Sequence, residues 1–186
     1  MKERPVAVLD ACVLVPMPVA DTLLRLAEPP ALYEARWTEQ ILAEVARTLA
    51  VRFGKSREQA LYRAAAMRQF FPDSLVENYQ DLIADMKNQA KDRHVLAAAV
   101  ACHADYLITF NLKHFVWQPA ETCKVAAIGP STFLNKLAAL DRPTVEARIC
   151  EQAAAIGVPV DNLLDRLAGS VPAFVSRLRS AGRIGP

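Results

Sequence analysis

The chain has 186 residues, a formal net charge of +2, and a composition that is 53% hydrophobic and 23% charged. This length suits one domain with an appendage, and the composition excludes a disordered or collagen-like polymer. No apolar run approaches the length of a membrane span, and the start MKERPVAVLD lacks the apolar segment and cleavage site of a signal peptide. We therefore expect a packed globular protein that stays in the cytoplasm.

The first predicted elements alternate between strand and helix. Val6–Leu9 is a short apolar run, typical of a strand that is covered on both faces. A helix is predicted for residues 19–27, followed by an extended segment at residues 33–37. Thr38 is suited to be the N-cap of the next helix, which should end at Gly54.

Three further helices are predicted in the middle of the chain. Ser56 and Gln59 have the spacing of a capping box, which predicts a helix from there to about Phe70. Residues 78–86 also have a helical pattern. The segment VLAAAVACHA, which begins at Val95, is apolar nearly all round and therefore predicts a helix buried against a sheet.

Two more buried strands are predicted, at residues 106–109 and 124–128. Strands that alternate with helices indicate an α/β fold with a mainly parallel central sheet. Beyond Leu140, prolines and glycines separate three short helical patterns. We therefore assign residues 1–140 to an α/β domain and residues 141–186 to a C-terminal helical appendage.

Cysteines and basic residues give weaker signals. The four cysteines are far apart and include no C-x-x-C pair, which favours buried thiols over disulfides or a zinc site. Between Arg47 and Arg68, six basic residues accompany a single acid, Glu58. Such a cluster is usually a solvated helix face, although a positively charged surface beside an active site is an alternative.

Polar residues follow or precede the predicted strands at positions where parallel α/β sheets bind ligands, outside the carboxyl ends of the strands. Asp10 follows the first strand directly, and Asn111 comes two residues after the strand that ends at Thr109. Asp92 stands at the start of the buried helix that leads into that strand. Glu44 lies about 110° from the centre of the apolar stripe of its helix, so it flanks the core.

Several such side chains at one sheet edge would suit Mg²⁺ or Mn²⁺, which prefer oxygen ligands and keep waters for a substrate. Without a cation, neighbouring carboxylates repel and raise one another's pKa. Because such an ion can polarise a phosphodiester and lower the pKa of a bound water, phosphodiester hydrolysis is the reaction that fits. Each residue also has an ordinary structural alternative as a cap, a turn former or a solvated helix residue, and spacing alone does not decide.

Four sequence blocks contain or follow these residues: VAVLDACVLVP, WTEQILAEVARTL, KDRHVLAAAVACHADYLITFNLKHF and VAAIGPSTFL. In this order and spacing they resemble the PIN-domain family of metal-dependent nucleases, and within it the VapC-type toxin ribonucleases with a C-terminal helical extension. The resemblance implies a three-layer α/β/α fold, a PIN-like nuclease domain at residues 1–140, RNA as substrate, and a cognate antitoxin as partner. Members often form homodimers.

The resemblance also assigns roles to residues. It places the Mg²⁺ or Mn²⁺ ligands and the catalytic groups on Asp10, Glu44 and Asp92, with Asn111 where many members have Asp. Cys12 stands where many relatives have Asn, and the loss of that Asn could loosen the metal geometry. Because Asn111 is neutral, we expect one firmly bound metal and a second that arrives only with RNA phosphate.

Neighbouring residues could assist this site. Thr109 could hydrogen-bond a site oxygen, although it is also an ordinary strand residue. The candidate RNA contacts are basic or histidine side chains beside the site residues, namely Arg47, Arg93, Lys113 and His114. Solvation is the alternative for these arginines and for the lysine. His94 could act in proton transfer or could simply pack in the core.

The favoured hypothesis is a metal-dependent endoribonuclease, the toxin component of a type II toxin–antitoxin system. As a first alternative, Asp10 could be the nucleophile of a phosphatase that forms an aspartyl-phosphate. Such enzymes resemble D-x-D here, whereas Cys12 occupies the second position. As a second alternative, the chain could be a PIN-fold module that binds RNA or protein after its catalytic site has decayed.

Overall fold

In a computed structural model of the chain, the structure describes residues 4–115, 124–180 and 182. These residues belong to two compact units. The first combines Met1–Val15 with Glu34–Ile128, and the second combines Pro16–Tyr33 with Gly129–Pro186. Each unit has fully buried apolar side chains of its own.

The sheet lies in the first unit and, within the described residues, has four strands that are all parallel to their neighbours. The strands are β1 (Val6–Leu9), β2 (Glu34–Arg36), β3 (Tyr106–Ile108) and β4 (Ala126–Ile128). Their order is β2-β1-β3-β4, so the strand order reverses between β1 and β3. The prediction of an α/β fold with a mainly parallel sheet is confirmed.

The helices of the described residues are α1 (Ala11–Leu14), α2 (Met17–Ala27), α3 (Glu39–Phe53), α4 (Arg57–Phe70), α5 (Arg93–Ala101), α6 (Pro130–Leu140), α7 (Arg142–Ala155), α8 (Val160–Ala168) and α9 (Pro172–Ser180). Short 3-10 helices cover Pro72–Ser74, Gln80–Asp85, Ala90–Asp92 and Leu112–Phe115. In the first unit, α5 packs against β1 and β3, and α3 packs against α1 and α4. The helix predicted to be buried against the sheet is therefore present.

Cap residues set the limits of α3 and α4. The Thr38 hydroxyl accepts a hydrogen bond from the backbone N–H of Ile41 at 3.1 Å. Gly54 ends α3 with a φ of 60°, a left-handed conformation that costs glycine little. Ser56 and Gln59 form both hydrogen bonds of the predicted capping box. Both helices therefore occupy the predicted positions.

The helix predicted for residues 78–86 takes a different form. Asn78 has a φ of 57°, outside the right-handed helical region, and Gln80–Asp85 forms a 3-10 helix. Leu82 packs against a buried cluster that includes Tyr79 and Ala97. A helix with three residues per turn also brings Tyr79 and Leu82 to one side, so the apolar spacing did not distinguish it from an α-helix.

The second unit consists of helices in its described part. Helix α2 packs against α7 and α8, and α6 packs against α7 and α9. Inside this unit the Thr22 hydroxyl donates to the side-chain oxygen of Gln152 at 2.7 Å, which satisfies two buried polar groups. The three helical patterns predicted after Leu140 correspond to α7, α8 and α9.

The two compact units do not coincide with the sequence-based division between residues 140 and 141. Helices α2 and α6 precede that boundary but belong to the second unit, because they pack against the C-terminal helices. For α2 the sequence cannot show this, because its packing joins segments that are more than a hundred residues apart. The division into a nuclease domain at 1–140 and an extension at 141–186 stays a prediction.

Two expectations drawn from composition concern cysteines and apolar runs. Cys12, Cys102 and Cys150 are free thiols, and Cys123 lies outside the described residues. In the part of the chain that the structure describes, no helix has the length and apolar character needed to cross a bilayer.

Candidate functional site

The carboxyl ends of β1 and β3 lie side by side. Leu9 and Ile108 are partners in the parallel pair, and the backbone N–H of Asp10 donates to the carbonyl oxygen of Ile108 at 3.1 Å. Asp10 and Thr109 are therefore adjacent residues on neighbouring strands. They meet at the reversal of strand order, which is the position where parallel α/β sheets form ligand sites.

Asp10 is 4% exposed, and hydrogen bonds hold one of its carboxylate oxygens. The Thr109 hydroxyl donates to Oδ2 at 2.6 Å, and the Cys12 thiol donates to the same oxygen at 3.1 Å. Within the described residues, no hydrogen bond reaches the other oxygen, Oδ1. Asp10 occupies the N-cap position of α1 without a side-chain capping bond, so capping does not account for its carboxylate.

Asp92 also occupies an N-cap position, that of α5, without a side-chain capping bond. Burial raises the pKa of its carboxyl, the positive charges of Lys91 and His114 lower it, and the negative charge of Asp10 raises it again, with a net upward shift. Two carboxylates that repel each other in this way are within electrostatic reach. The charges of Asp10 and Asp92 therefore interact across the site.

His114 is the close neighbour of Asp92. Its Nδ1 atom is 2.8 Å from Oδ2 of Asp92, which is an ion-pair distance. Both atoms are buried, and neither forms a hydrogen bond with the residues that the structure describes. Oδ2 of Asp92 is thus a buried acceptor that still has room for a cation or a donor.

Glu44 has a different neighbour. Its Oε1 atom is 3.0 Å from Nε2 of His94, a side chain that is 4% exposed, whereas Glu44 itself is 30% exposed. The partial exposure agrees with the predicted position at the flank of the apolar stripe. Within residues 4–115, 124–180 and 182, no three acidic, histidine or cysteine side chains are grouped as a metal site requires. The place of Glu44 in a metal site stays a prediction.

Asn111 forms the turn that follows β3. Its backbone N–H donates to the Thr109 hydroxyl at 3.0 Å, and its carbonyl oxygen accepts from the backbone N–H of His114 at 2.8 Å. The Thr109 hydroxyl therefore links Asp10 to the turn that carries Asn111. The turn-forming alternative for Asn111 is observed, and a role of its side chain as a ligand stays a prediction.

The candidate RNA contacts differ in their surroundings. Arg47 and Lys113 are exposed and form no ion pair with the residues that the structure describes. Arg93 is half-buried, and its Nε donates to the carbonyl oxygen of Asn88 at 3.3 Å. His114 is mostly buried beside Asp92. Arg47 and Lys113 are thus the members of this set that are free to meet a polyanion.

Cys12 makes more contacts with the site residues than the sequence analysis predicted. Its Sγ atom lies 3.3 Å from the Thr109 hydroxyl and accepts a hydrogen bond from the backbone N–H of Phe110 at 3.2 Å. Burial, followed by the charge of Asp10, raises the pKa of the Cys12 thiol to about 12, so the thiol keeps its proton at neutral pH and can donate it to Asp10. The sequence feature that could have indicated these contacts is the position of Cys12, two residues after Asp10.

The donor chemistry of Asp10 and Asp92 suits a hard divalent cation. Both are carboxylates, both are largely removed from water, and the charge of one raises the pKa of the other. Oδ2 of Asp92 is buried without a hydrogen-bond partner. A divalent cation between the two would offset their repulsion and provide the missing partner. These two residues therefore fit the metal that the resemblance implies.

Comparison with known proteins agrees with this picture. Over 104 residues the chain is 39% identical to a protein of Mycobacterium tuberculosis (strain ATCC 25618 / H37Rv) named "Putative ribonuclease VapC50". The match covers 54% of this chain and 62% of the relative, so it spans less than two thirds of that protein's length. No family model and no solved structure matches the chain. The identity and the parallel α/β fold confirm the resemblance of this chain to the VapC-type PIN-domain family.

Proposed function

We propose that this protein is a Mg²⁺- or Mn²⁺-dependent endoribonuclease that hydrolyses RNA phosphodiester bonds. The observation that carries the proposal is a pair of carboxylates whose charges interact: Asp10, buried at the point where the strand order of the sheet reverses, and Asp92, partly buried at the start of α5. The similarity to a protein named as a ribonuclease supports the nuclease class. The proposal includes the toxin role in a type II toxin–antitoxin system, a cognate antitoxin, a homodimer and a cytoplasmic location, all of which come from the family resemblance.

In this proposal Asp10 and Asp92 hold the divalent ion, and Glu44 and Asn111 are its further ligands. When bound, the ion supplies Lewis-acid polarisation of the phosphodiester and lowers the pKa of a bound water. The Thr109 hydroxyl keeps Oδ2 of Asp10 in place through its 2.6 Å hydrogen bond. Asp10 and Thr109 stand at the ends of paired strands, which favours the fixed geometry that phosphoryl chemistry requires.

RNA would be held by the phosphate contacts that surround these acids. Arg47 is exposed and lies three residues after Glu44 on α3, so the two side chains share one side of the helix. Lys113 is exposed two residues after Asn111. Arg93 directly follows Asp92 in sequence, and Nδ1 of His114 lies 2.8 Å from Oδ2 of Asp92. Binding that depends on such contacts weakens as salt concentration rises.

The test is the Asp10→Asn variant, which keeps the size of the side chain and removes its charge. We expect it to lose Mn²⁺-dependent cleavage of a mixed-sequence RNA, to lose growth arrest on expression, and to bind Mn²⁺ more weakly in calorimetry. Asp81→Asn is the matched control, because Asp81 is an exposed residue of the same unit. It should behave as the unsubstituted protein does.

Two outcomes contradict the proposal in different ways. Full cleavage by Asp10→Asn would remove Asp10 from the reaction. RNA binding by the unsubstituted protein without any Mg²⁺ or Mn²⁺ binding would favour a binding module whose catalytic site has decayed. A phosphoryl group trapped on Asp10 would instead favour the phosphatase alternative.

A further inference from the structure

Oδ2 of Asp10 accepts hydrogen bonds from two side chains that are 97 residues apart in the sequence. One donor is the Thr109 hydroxyl at 2.6 Å, and the other is the Cys12 thiol at 3.1 Å. With two donors on one oxygen, rotation of the carboxylate about its χ2 angle would break both bonds. The described residues provide no hydrogen bond to Oδ1, which leaves this oxygen for a ligand.

The Cys12 sulfur is itself held in place. It accepts a hydrogen bond from the backbone N–H of Phe110 at 3.2 Å and lies 3.3 Å from the Thr109 hydroxyl. Cys12 belongs to α1, whereas Thr109 and Phe110 follow β3. The thiol therefore connects the start of α1 to the turn after β3, and it does so directly beside the carboxylate.

We propose that Cys12 is a positioning residue for Asp10, which fixes Oδ2 so that Oδ1 is presented to the divalent ion of the proposed function. This inference rests on that function. It replaces the expectation that the residue at this position loosens the metal geometry because it is not Asn. Cys12 donates a hydrogen bond to Asp10 and accepts one from the backbone N–H of Phe110. With these two hydrogen bonds a short polar side chain can hold this turn.

Simple packing is the ordinary role of a half-buried cysteine, and it does not account for these contacts. Cys102 is also half-buried and shows what that role looks like, because its polar contacts stay within its own stretch of chain: its thiol donates to the carbonyl oxygen of Ala99 at 3.7 Å, and the backbone N–H of Ala104 interacts with its sulfur. Three polar partners from two separate segments surround the Cys12 sulfur within 3.3 Å. Side chains that orient metal ligands in this way typically change metal affinity when they are removed.

The experiment compares Cys12→Ala, which removes both hydrogen bonds, with Cys12→Ser, which retains a donor and an acceptor. Cys102→Ala is the matched control for the loss of a half-buried sulfur. Three quantities are measured for each protein: the Kd for Mn²⁺ by calorimetry, kcat and KM for RNA cleavage, and the hydrogen-exchange rate of the Phe110 amide by NMR. All measurements are made at 10 °C, on variants whose circular dichroism spectrum matches that of the unsubstituted protein.

We expect Cys12→Ala to bind Mn²⁺ about 10-fold more weakly, with a lower kcat, an unchanged KM and faster exchange at Phe110. Cys12→Ser should restore all three, and Cys102→Ala should leave all three unchanged while losing similar thermal stability. Mn²⁺ affinity and kcat of Cys12→Ala equal to those of the unsubstituted protein would overturn the inference. If the unsubstituted protein binds no Mn²⁺, the proposed function itself fails, and the two failures are therefore distinguishable.

Discussion

The Thr109 hydroxyl is the most informative group to remove, because it connects two parts of the candidate site. It is fully buried, donates to Oδ2 of Asp10 at 2.6 Å, and accepts from the backbone N–H of Asn111 at 3.0 Å. Thr109→Val keeps the shape and branching of the side chain. It deprives a buried carboxylate of its shortest hydrogen bond and leaves the Asn111 amide without its acceptor.

The size of the effect follows from these two bonds. A hydrogen bond to a charged group contributes about 1.5–3 kcal/mol, and an ordinary one about 0.5–1.5 kcal/mol. Because Asn111 is half-buried, water replaces part of its lost bond. We therefore expect Thr109→Val to lower the free energy of unfolding by about 2–4 kcal/mol. Thr109→Ser keeps the hydroxyl and loses one methyl group, which costs roughly 0.5–1.5 kcal/mol.

The assay is thermal unfolding followed by circular dichroism, with urea denaturation as a second measure. For a chain of this size, each kcal/mol corresponds to about 2–4 °C in Tm. Thr109→Val should melt clearly below Thr109→Ser, although valine is the more apolar of the two residues. Equal stability, or a valine variant that is the more stable, would refute the reasoning that this hydroxyl holds Asp10 and the following turn together.

Further predictions concern Asp92 and the cap residues. Asp92→Asn removes a buried charge that Asp10 repels. The unfolding free energy of the metal-free protein should therefore rise by roughly 0.5–2 kcal/mol, while RNA cleavage is lost. An unchanged or lower Tm would contradict this prediction. Because the folded-state pKa of Asp92 is raised above 3.8, the native protein binds the proton more tightly, and acidification through that pKa should stabilise it relative to Asp92→Asn. The Tm difference between these two proteins should therefore shrink as the pH is lowered from 7 towards the ordinary value of 3.8, and a constant difference over that range would contradict the raised pKa. Gly54→Ala, at a φ of 60°, should lower the free energy of unfolding by about 1–2 kcal/mol. This is measured by urea denaturation, with Ala50→Gly for comparison, and an unchanged free energy of unfolding would contradict the prediction.

Local signals were sufficient to predict many elements. Val6–Leu9 is a strand because its side chains are apolar on both faces, and it occupies the predicted residues. Thr38, Gly54 and Ser56 mark helix ends through bonds that span only a few residues, so their effect can be read directly from sequence. The 3-10 helix Gln80–Asp85 was not distinguished, because its apolar spacing fits either helix type.

The contacts that define the candidate site could not be predicted in the same way. Cys12 and Phe110 are 98 residues apart, and their hydrogen bond exists only because β1 and β3 are neighbours in the sheet. The contact between Glu44 and His94 joins α3 to α5, and no spacing rule relates them. Sequence patterns and family resemblance indicated which residues are candidates for the chemistry of the site. The contact of Glu44 with His94 came from the three-dimensional arrangement alone.

A crystal of the protein soaked in Mn²⁺ and measured at the manganese absorption edge tests the central claim most directly. The account predicts an anomalous peak about 2–2.5 Å from a carboxylate oxygen of both Asp10 and Asp92, which disappears in crystals of Asp10→Asn. No manganese between these two carboxylates at saturating concentration, in crystals that diffract well enough to show both side chains, would contradict it.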